Sequence, residues 1–270
     1  MITRILSALI LAPPVIYLIL GGRPLYFFIL LLPVSAGLLY EWHSLRGKIS
    51  PRKWAAQTVL AWFLLFVGIY GQADLILPAI VTTLFIMVAA TVLDYQPTVL
   101  VMDRWSYDFT GMIYCVLPLI LLVKIKYEWG GIYLLLPFLI IWATDSGAYF
   151  SGKFLGNKKL APQLSPGKTW VGFYGGCLSG VGTGIGISLF FSLSFFLWQA
   201  ALIGMALSLV GQLGDLAESL LKRESGVKDS GKLIPGHGGL LDRLDSLLFA
   251  APVYYGLLVA FSSIPPFNGG

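Results

Sequence analysis

Charge is scarce in this chain. Only 11% of its 270 residues are Asp, Glu, Lys or Arg, where a soluble domain carries roughly a quarter. With 57% hydrophobic residues and a mean hydropathy of +0.82, it has too few polar groups to cover a surface facing water. A water-soluble globular domain is excluded, and lipid is the expected solvent. Cysteine is scarce too. Cys115 and Cys177 both lie in apolar stretches, with no CxxC pair and no neighbouring histidine, so neither a disulfide nor a thiolate metal site is expected. There are two histidines, no HExxH and no Ser-His-Asp order, which removes the usual hydrolase sets. No repeat of fixed period is apparent, which argues against an inverted-repeat transporter. The net charge of +5 and pI near 9.1 would raise nucleic acid in a soluble protein. Here the simpler source is the cytoplasmic excess of Lys and Arg in membrane proteins, and no nucleic-acid partner is expected.

What the chain does have is long apolar runs. Nine reach spanning length, at about 5–20, 25–42, 54–71, 74–93, 107–123, 131–150, 170–190, 193–214 and 244–263. The first could be read as a signal peptide. No A-x-A-like cleavage site follows it and more spans come at once, so a retained span is expected. Backbone groups in lipid must be bonded within their own segment, which makes helices the expected form. The fold class is therefore an all-α polytopic membrane protein of about nine helices. With the N-terminus in the cytoplasm, 15 of the 18 Lys and Arg residues fall inside and 3 outside, and the C-terminus is external. Residues 1–130 form an N-terminal group of helices, and 131–270 carry the loops with chemistry. In the seventh run Gly172, Gly176, Gly180 and Gly184 recur every four residues. That face lets another backbone approach, within the chain or in a homodimer.

The passage Lys228–Asp245, KDSGKLIPGHGGLLDRLD, breaks the apolar pattern. Acidic residues border it and a second polar loop, 151–169. Asp145 ends the sixth run, Asp215 and Glu218 end the eighth, and Asp242 and Asp245 open the ninth. Ionisable groups at such depth are costly and are functional candidates. Asp215 and Glu218 are three apart, as are Asp242 and Asp245, so each pair shares a helix face. Carboxylates at two helix ends suit Mg²⁺, which takes one or two of them and completes its shell with water and phosphate oxygens. Ordinary ion pairs, Glu218 with Lys222 and Asp245 with Arg243, are the competing reading. Lys222, Arg223, Lys228 and Lys232 lie between the acids, among Gly231, Gly236, Gly238 and Gly239. Clustered bases and close backbone N–H groups suit a polyphosphate. His237 is placed either to donate to phosphate or to shape the turn. SPGKTW at 165–170 invites comparison with a P-loop, but Pro162 stands where the first Gly is required and no strand is expected ahead of it. Lys168 and Thr169 remain phosphate candidates.

These residues carry a resemblance. Ser219–Ser246, SLLKRESGVKDSGKLIPGHGGLLDRLDS, resembles the signature of the phosphatidate cytidylyltransferases, or CDP-diacylglycerol synthases: S-x-x-K-R-x4-K-D-x-G-x3-P-x-H-G-G-x-x-D-R-x-D. The stretch DSGAYFSGKFLGNKKLAPQLSPGKTW is similar to that family as well. One departure stands out, because the family's loop commonly reads S-P-K-K-T-x-E-G. Here Gly167 replaces a Lys and Val171 stands where Glu is common, so no role is given to Val171. The resemblance implies an enzyme that makes CDP-diacylglycerol and pyrophosphate from CTP and phosphatidic acid at the cytoplasmic face of the inner membrane. With the residue reading it assigns Asp215, Asp242, Lys222 and Asp245 to catalysis and Asp215, Asp242 and Glu218 to Mg²⁺, a second cation being left open. Substrate binding falls to Asp145, Ser165, Lys168, Thr169, Arg223, Lys228, Asp229, Lys232, His237, Gly238 and Arg243. The alternatives are a related CTP-using lipid enzyme, such as a CDP-archaeol synthase or polyprenol kinase, and an ion or phosphate transporter.

Overall fold

The computed structural model describes residues 13–47, 50–94, 100–233 and 238–262. Residues 13–20 are helical, and the remainder of the first expected span lies outside the described residues. The helices that follow are α1 (Pro24–Ser44), α2 (Pro51–Tyr70), α3 (Ala73–Leu93), α4 (Val101–Cys115), α5 (Leu117–Glu128) and α6 (Gly131–Leu155). A hairpin of β1 (Lys159–Ala161) and β2 (Ser165–Thr169) leads into α7 (Trp170–Phe190), α8 (Leu197–Glu224) and α9 (Leu241–Ser262). Taking α4 and α5 together, eight of these helices among the described residues are long and apolar enough to cross a membrane. The protein is an all-α polytopic membrane protein.

Local chemistry sets the boundaries. Pro24 and Pro51 open α1 and α2, where a missing N–H costs nothing. Pro118, with no N–H to continue the ladder, falls where the run 107–123 breaks into α4 and α5. Gly130, at φ 96°, supplies the left-handed turn ahead of α6.

The core runs between the helices and includes Leu38, Leu39, Trp42, Leu65, Met112, Leu119, Leu134 and Tyr254, each at most 2% exposed. Outward faces remain apolar: Leu77, Phe85 and Leu93 on α3 are 69%, 69% and 90% exposed. That is the surface expected where lipid replaces water. The glycine face of α7 is used inside the chain. A Cβ on Gly172 would lie 2.8 Å from the Ala148 carbonyl on α6, and one on Gly184 would lie 2.6 Å from the Ala200 carbonyl on α8. Between them Thr144 and Ser208 share a 2.7 Å hydrogen bond across α6 and α8. Small residues and interhelical hydrogen bonds are what hold helices together in lipid.

Two expectations need correction. SPGKT is itself a strand, paired antiparallel to β1 with Lys159 opposite Thr169 and Ala161 opposite Ser165. A short strand therefore does precede it, although no loop cradle forms and β2 passes directly into α7. Asp242 does open α9, but the carboxylates of α6 and α8 do not stand at helix ends. The helix containing Asp145 continues to Leu155, and the one containing Asp215 and Glu218 continues to Glu224, because the polar residues beyond each apolar run remain good helix formers.

Candidate active site

The extension of α8 beyond its apolar run carries Asp215, Glu218 and Lys222 at spacings of three and four, which place them on one face. The first two turns of α9 carry Asp242, Arg243, Asp245 and Ser246, and α6 contributes Asp145. With Asp229 these residues line a single cavity of about 300 Å³. Six acidic side chains face two basic ones there. Such an excess of negative charge in a partly desolvated space calls for further cations.

Two lysines answer part of that demand. The Lys222 ammonium lies 2.7 Å from Glu218 Oε2 and 2.6 Å from Asp242 Oδ1, and the three side chains are only 12%, 1% and 9% exposed. Lys168 reaches from β2 to Asp215 Oδ2 at 2.7 Å, in a more open setting. The hairpin is itself tied to α8, because Arg223 Nε donates to the Leu164 carbonyl at 3.4 Å. Asp245 is buried and accepts the Ser246 N–H at 2.6 Å. Glu218 Oε1 is buried without a hydrogen-bond partner among the described residues.

The loop from α8 to α9 is organised from both sides by carboxylates. Asp242 Oδ2 accepts the N–H of Ser230 at 3.0 Å and of Gly239 at 2.8 Å. Gly238, at φ 83°, makes the turn beside it, and a Cβ there would sit 2.9 Å from that same oxygen. Glu41, near the end of α1, is 1% exposed and accepts from Ser230 Oγ, Leu240 N and Leu241 N. The sequence reading passed over Glu41. Its signal was available, since it is an ionisable residue in the second apolar run, where burial demands partners.

The structure thus brings Asp145, Asp215, Glu218, Lys222, Asp229, Asp242, Arg243 and Asp245 to one cavity, with Lys168 on its edge through Asp215. Others are placed differently. The Thr169 hydroxyl is buried and caps α7 by accepting the Gly172 N–H. Ser165 pairs in the hairpin, and Arg223 braces it. Lys228 and Lys232 are exposed on the loop, and Gly238 serves the turn. His237 lies outside the described residues. The expected metal set of Asp215, Asp242 and Glu218 lines this cavity, but the three are not grouped around one point. No three His, Cys, Asp or Glu side chains among the described residues are grouped to hold an ion unaided. The cause is visible: Lys222 stands between Glu218 and Asp242, and the second oxygen of Asp242 is spent on loop N–H groups.

Comparison with known proteins gives the chain its family. The model of the Cytidylyltransferase family matches residues 2–261. The chain is similar to the phosphatidate cytidylyltransferase of Bacillus subtilis (strain 168), at 36% identity over 269 residues, covering 96% of this chain and 98% of the relative. It is 33% identical to that of Brucella suis biovar 1 (strain 1330) over 272 aligned positions, covering 97% and 96%. Over 127 residues it is 48% identical to that of Staphylococcus epidermidis (strain ATCC 12228 / FDA PCI 1200), covering 47% and 49%. With a match running almost end to end and a charged cavity built from three of its helices, the chain belongs to the cytidylyltransferase family.

Proposed function

We propose that this protein is a membrane nucleotidyltransferase that joins CTP to phosphatidic acid, giving CDP-diacylglycerol and pyrophosphate for phospholipid synthesis. The observation carrying the reading is the convergence of carboxylates from α6, α8 and α9 on one cavity that also holds Lys222, within a chain whose relatives bear the name phosphatidate cytidylyltransferase.

In this reaction a lipid phosphate oxygen attacks the α-phosphorus of CTP. The bond from that phosphorus to the bridging oxygen breaks, and its electron pair leaves with pyrophosphate. The nucleophile is already an anion at neutral pH, so no activating base is needed. The obstacle is repulsion, about 4 kcal/mol for each pair of unit charges 4 Å apart at an effective dielectric of 20. The chain's own cations oppose it. Lys222 donates twice to carboxylates and keeps a third proton for a phosphate oxygen. Arg243 faces the same cavity, and Lys168 stands at its edge. Lys228 and Lys232, exposed on the loop, are placed to attract a triphosphate from water. This is catalysis by positioning and electrostatics.

The residues present also fit Mg²⁺. The cavity is oxygen-rich, and Glu218 Oε1 is a buried acceptor without a partner among the described residues. Asp215 and Glu218 would hold the ion, with phosphate oxygens and water completing its shell. When bound it supplies charge neutralisation to the phosphates and to the leaving pyrophosphate. Asp242 is better assigned to shaping the loop and orienting Lys222.

The 15 to 3 distribution of basic residues supports a site facing the cytoplasm in the inner membrane, with CTP arriving from water and lipid from the bilayer. The test is incorporation of labelled CTP into lipid by purified protein. Label should enter lipid only with both phosphatidic acid and Mg²⁺. Transfer to an archaeol phosphate in preference to phosphatidic acid, or a phosphorylated polyprenol as product, would overturn the substrate assignment.

A further inference from the structure

We propose that Glu41 is a positioning residue for the transfer reaction, its carboxylate fixing the loop between α8 and α9 and, through that loop, Asp242 and Lys222. This rests on the cavity being the transferase site.

The geometry is a double clamp. Ser230 and the segment Gly239–Leu241 are each held by both carboxylates. Asp242 Oδ2 takes the Ser230 N–H at 3.0 Å and the Gly239 N–H at 2.8 Å. Glu41 takes the Ser230 hydroxyl at 3.1 Å, the Leu240 N–H at 2.9 Å and the Leu241 N–H at 2.8 Å. The two backbone donors belong to the start of α9, whose first N–H groups have no partners within the helix. A carboxylate from near the end of α1 caps that start. The fit is close, since a Cβ on Gly239 would lie 2.6 Å from Glu41 Oε2.

From the clamp the order passes inward. Asp242 Oδ1 holds Lys222, and Lys222 holds Glu218. A shift of the loop therefore shifts the ammonium in the cavity. Misplacement of a catalytic group by about 1 Å can cost 100-fold in rate.

Glu41 has a rigid base. The neighbouring Trp42 stacks on Tyr107 with ring centroids 5.1 Å apart, donates to the Tyr107 carbonyl at 3.1 Å, and accepts from the Tyr107 hydroxyl through its own carbonyl. His43 bonds Gln57 on α2, and Lys53 on α2 pairs with Asp108 on α4 at 2.8 Å. The end of α1 is thereby fastened to α2 and α4. A side chain outside the cavity, some 200 residues away in sequence from the donors it satisfies, sets the geometry inside it.

The test compares Glu41→Gln with wild type as purified full-length protein in detergent. Glu128→Gln is the control, changing a carboxylate on α5 remote from the cavity. Three readouts are taken: thermal midpoint, kcat and KM per folded molecule, and amide hydrogen exchange over 228–233 and 238–241. Gln keeps one acceptor but turns an NH₂ toward a donor. The expected result is a fall in kcat of about tenfold or more with KM for phosphatidic acid within about twofold, and faster exchange confined to the loop. Glu128→Gln leaves both unchanged. A lowered midpoint with wild-type kcat and an unaltered loop would make Glu41 a helix cap only and overturn the proposal. If Glu41→Gln does not fold, Ser230→Ala removes one bond of the clamp, and unchanged kcat in that variant overturns it equally. If wild-type protein fails to incorporate CMP into lipid, the functional reading falls. Loop exchange in Glu41→Gln then still decides whether the clamp exists.

Discussion

Lys222 and Lys168 show how two lysines at one site do different work. Lys222 is nearly enclosed and bridges Glu218 and Asp242, so Lys222→Ala leaves two carboxylates facing each other in a desolvated space. Removing one partner of a buried ion set costs about 3–5 kcal/mol. The expected outcome is lost activity together with a clearly lowered thermal midpoint. Lys168 and Asp215 are 24% and 37% exposed, and such pairs contribute about 0–1 kcal/mol. Lys168→Ala should therefore leave the midpoint nearly unmoved. It should still reduce kcat/KM for CTP by about 10- to 150-fold, the equivalent of one charge-assisted phosphate contact at about 1.5–3 kcal/mol. Equal midpoints for both variants would remove the distinction. Asp215→Asn should fold and lose turnover at limiting Mg²⁺, and near-normal turnover there would end its assignment to the metal. The acids and bases of the cavity were legible in the sequence because each broke an apolar pattern. Their pairing was not. Spacing along one helix offered Lys222 to Glu218, but only the fold brings Asp242 to the same ammonium and Glu41 to the loop.

Helices were legible from runs of apolar residues, and the eight spans among the described residues coincide with the second to ninth runs. Their ends were not, because hydropathy reports where lipid stops and the helical backbone continues into water. The hairpin was hidden for a different reason. Its strands are short and lie among Gly, Pro and Lys, without the alternation that marks a half-buried strand. The four-residue glycine rhythm on α7 did carry information, and the structure adds direction to it. Gly172, Gly176, Gly180 and Gly184 face neighbouring helices, whereas Gly182 and Gly186 meet nothing within 4 Å. Gly184→Ala would press a methyl against the Ala200 carbonyl, at 2.6 Å, and force α7 from α8. A loss of about 1–3 kcal/mol is expected, as for overpacked cores. Gly186→Ala meets open space and gains helix propensity, up to about 1 kcal/mol. Thermal midpoints of the two variants should move in opposite directions. A fall of similar size in both would show that helix propensity and open space do not decide these positions.

At the scale of the whole molecule, the chemistry depends on which side of the membrane the cavity faces. The helix segments that build it, the C-terminal parts of α6 and α8 and the start of α9, are followed or preceded by loops rich in Lys and Arg. With the helix ends beside them, residues 151–169 and 220–243 hold nine of the fifteen basic residues assigned to the inside, which is why charge predicts a cavity facing the cytoplasm. CTP is a polyanion made in water on one side only, so an inverted protein would have a complete site and no substrate. Single cysteines can settle the orientation once Cys115 and Cys177, both buried, have been replaced. Gln72→Cys lies between α2 and α3, and Ser225→Cys lies just after α8. In intact cells a membrane-impermeant maleimide should label position 72 and spare position 225 until the membrane is opened. The reverse pattern would place the cavity outside, and cytoplasmic CTP could then not be its substrate. Labelling of both positions in intact cells would mean an even number of crossings where an odd number, five, is expected between them, and the span count would have to be redrawn.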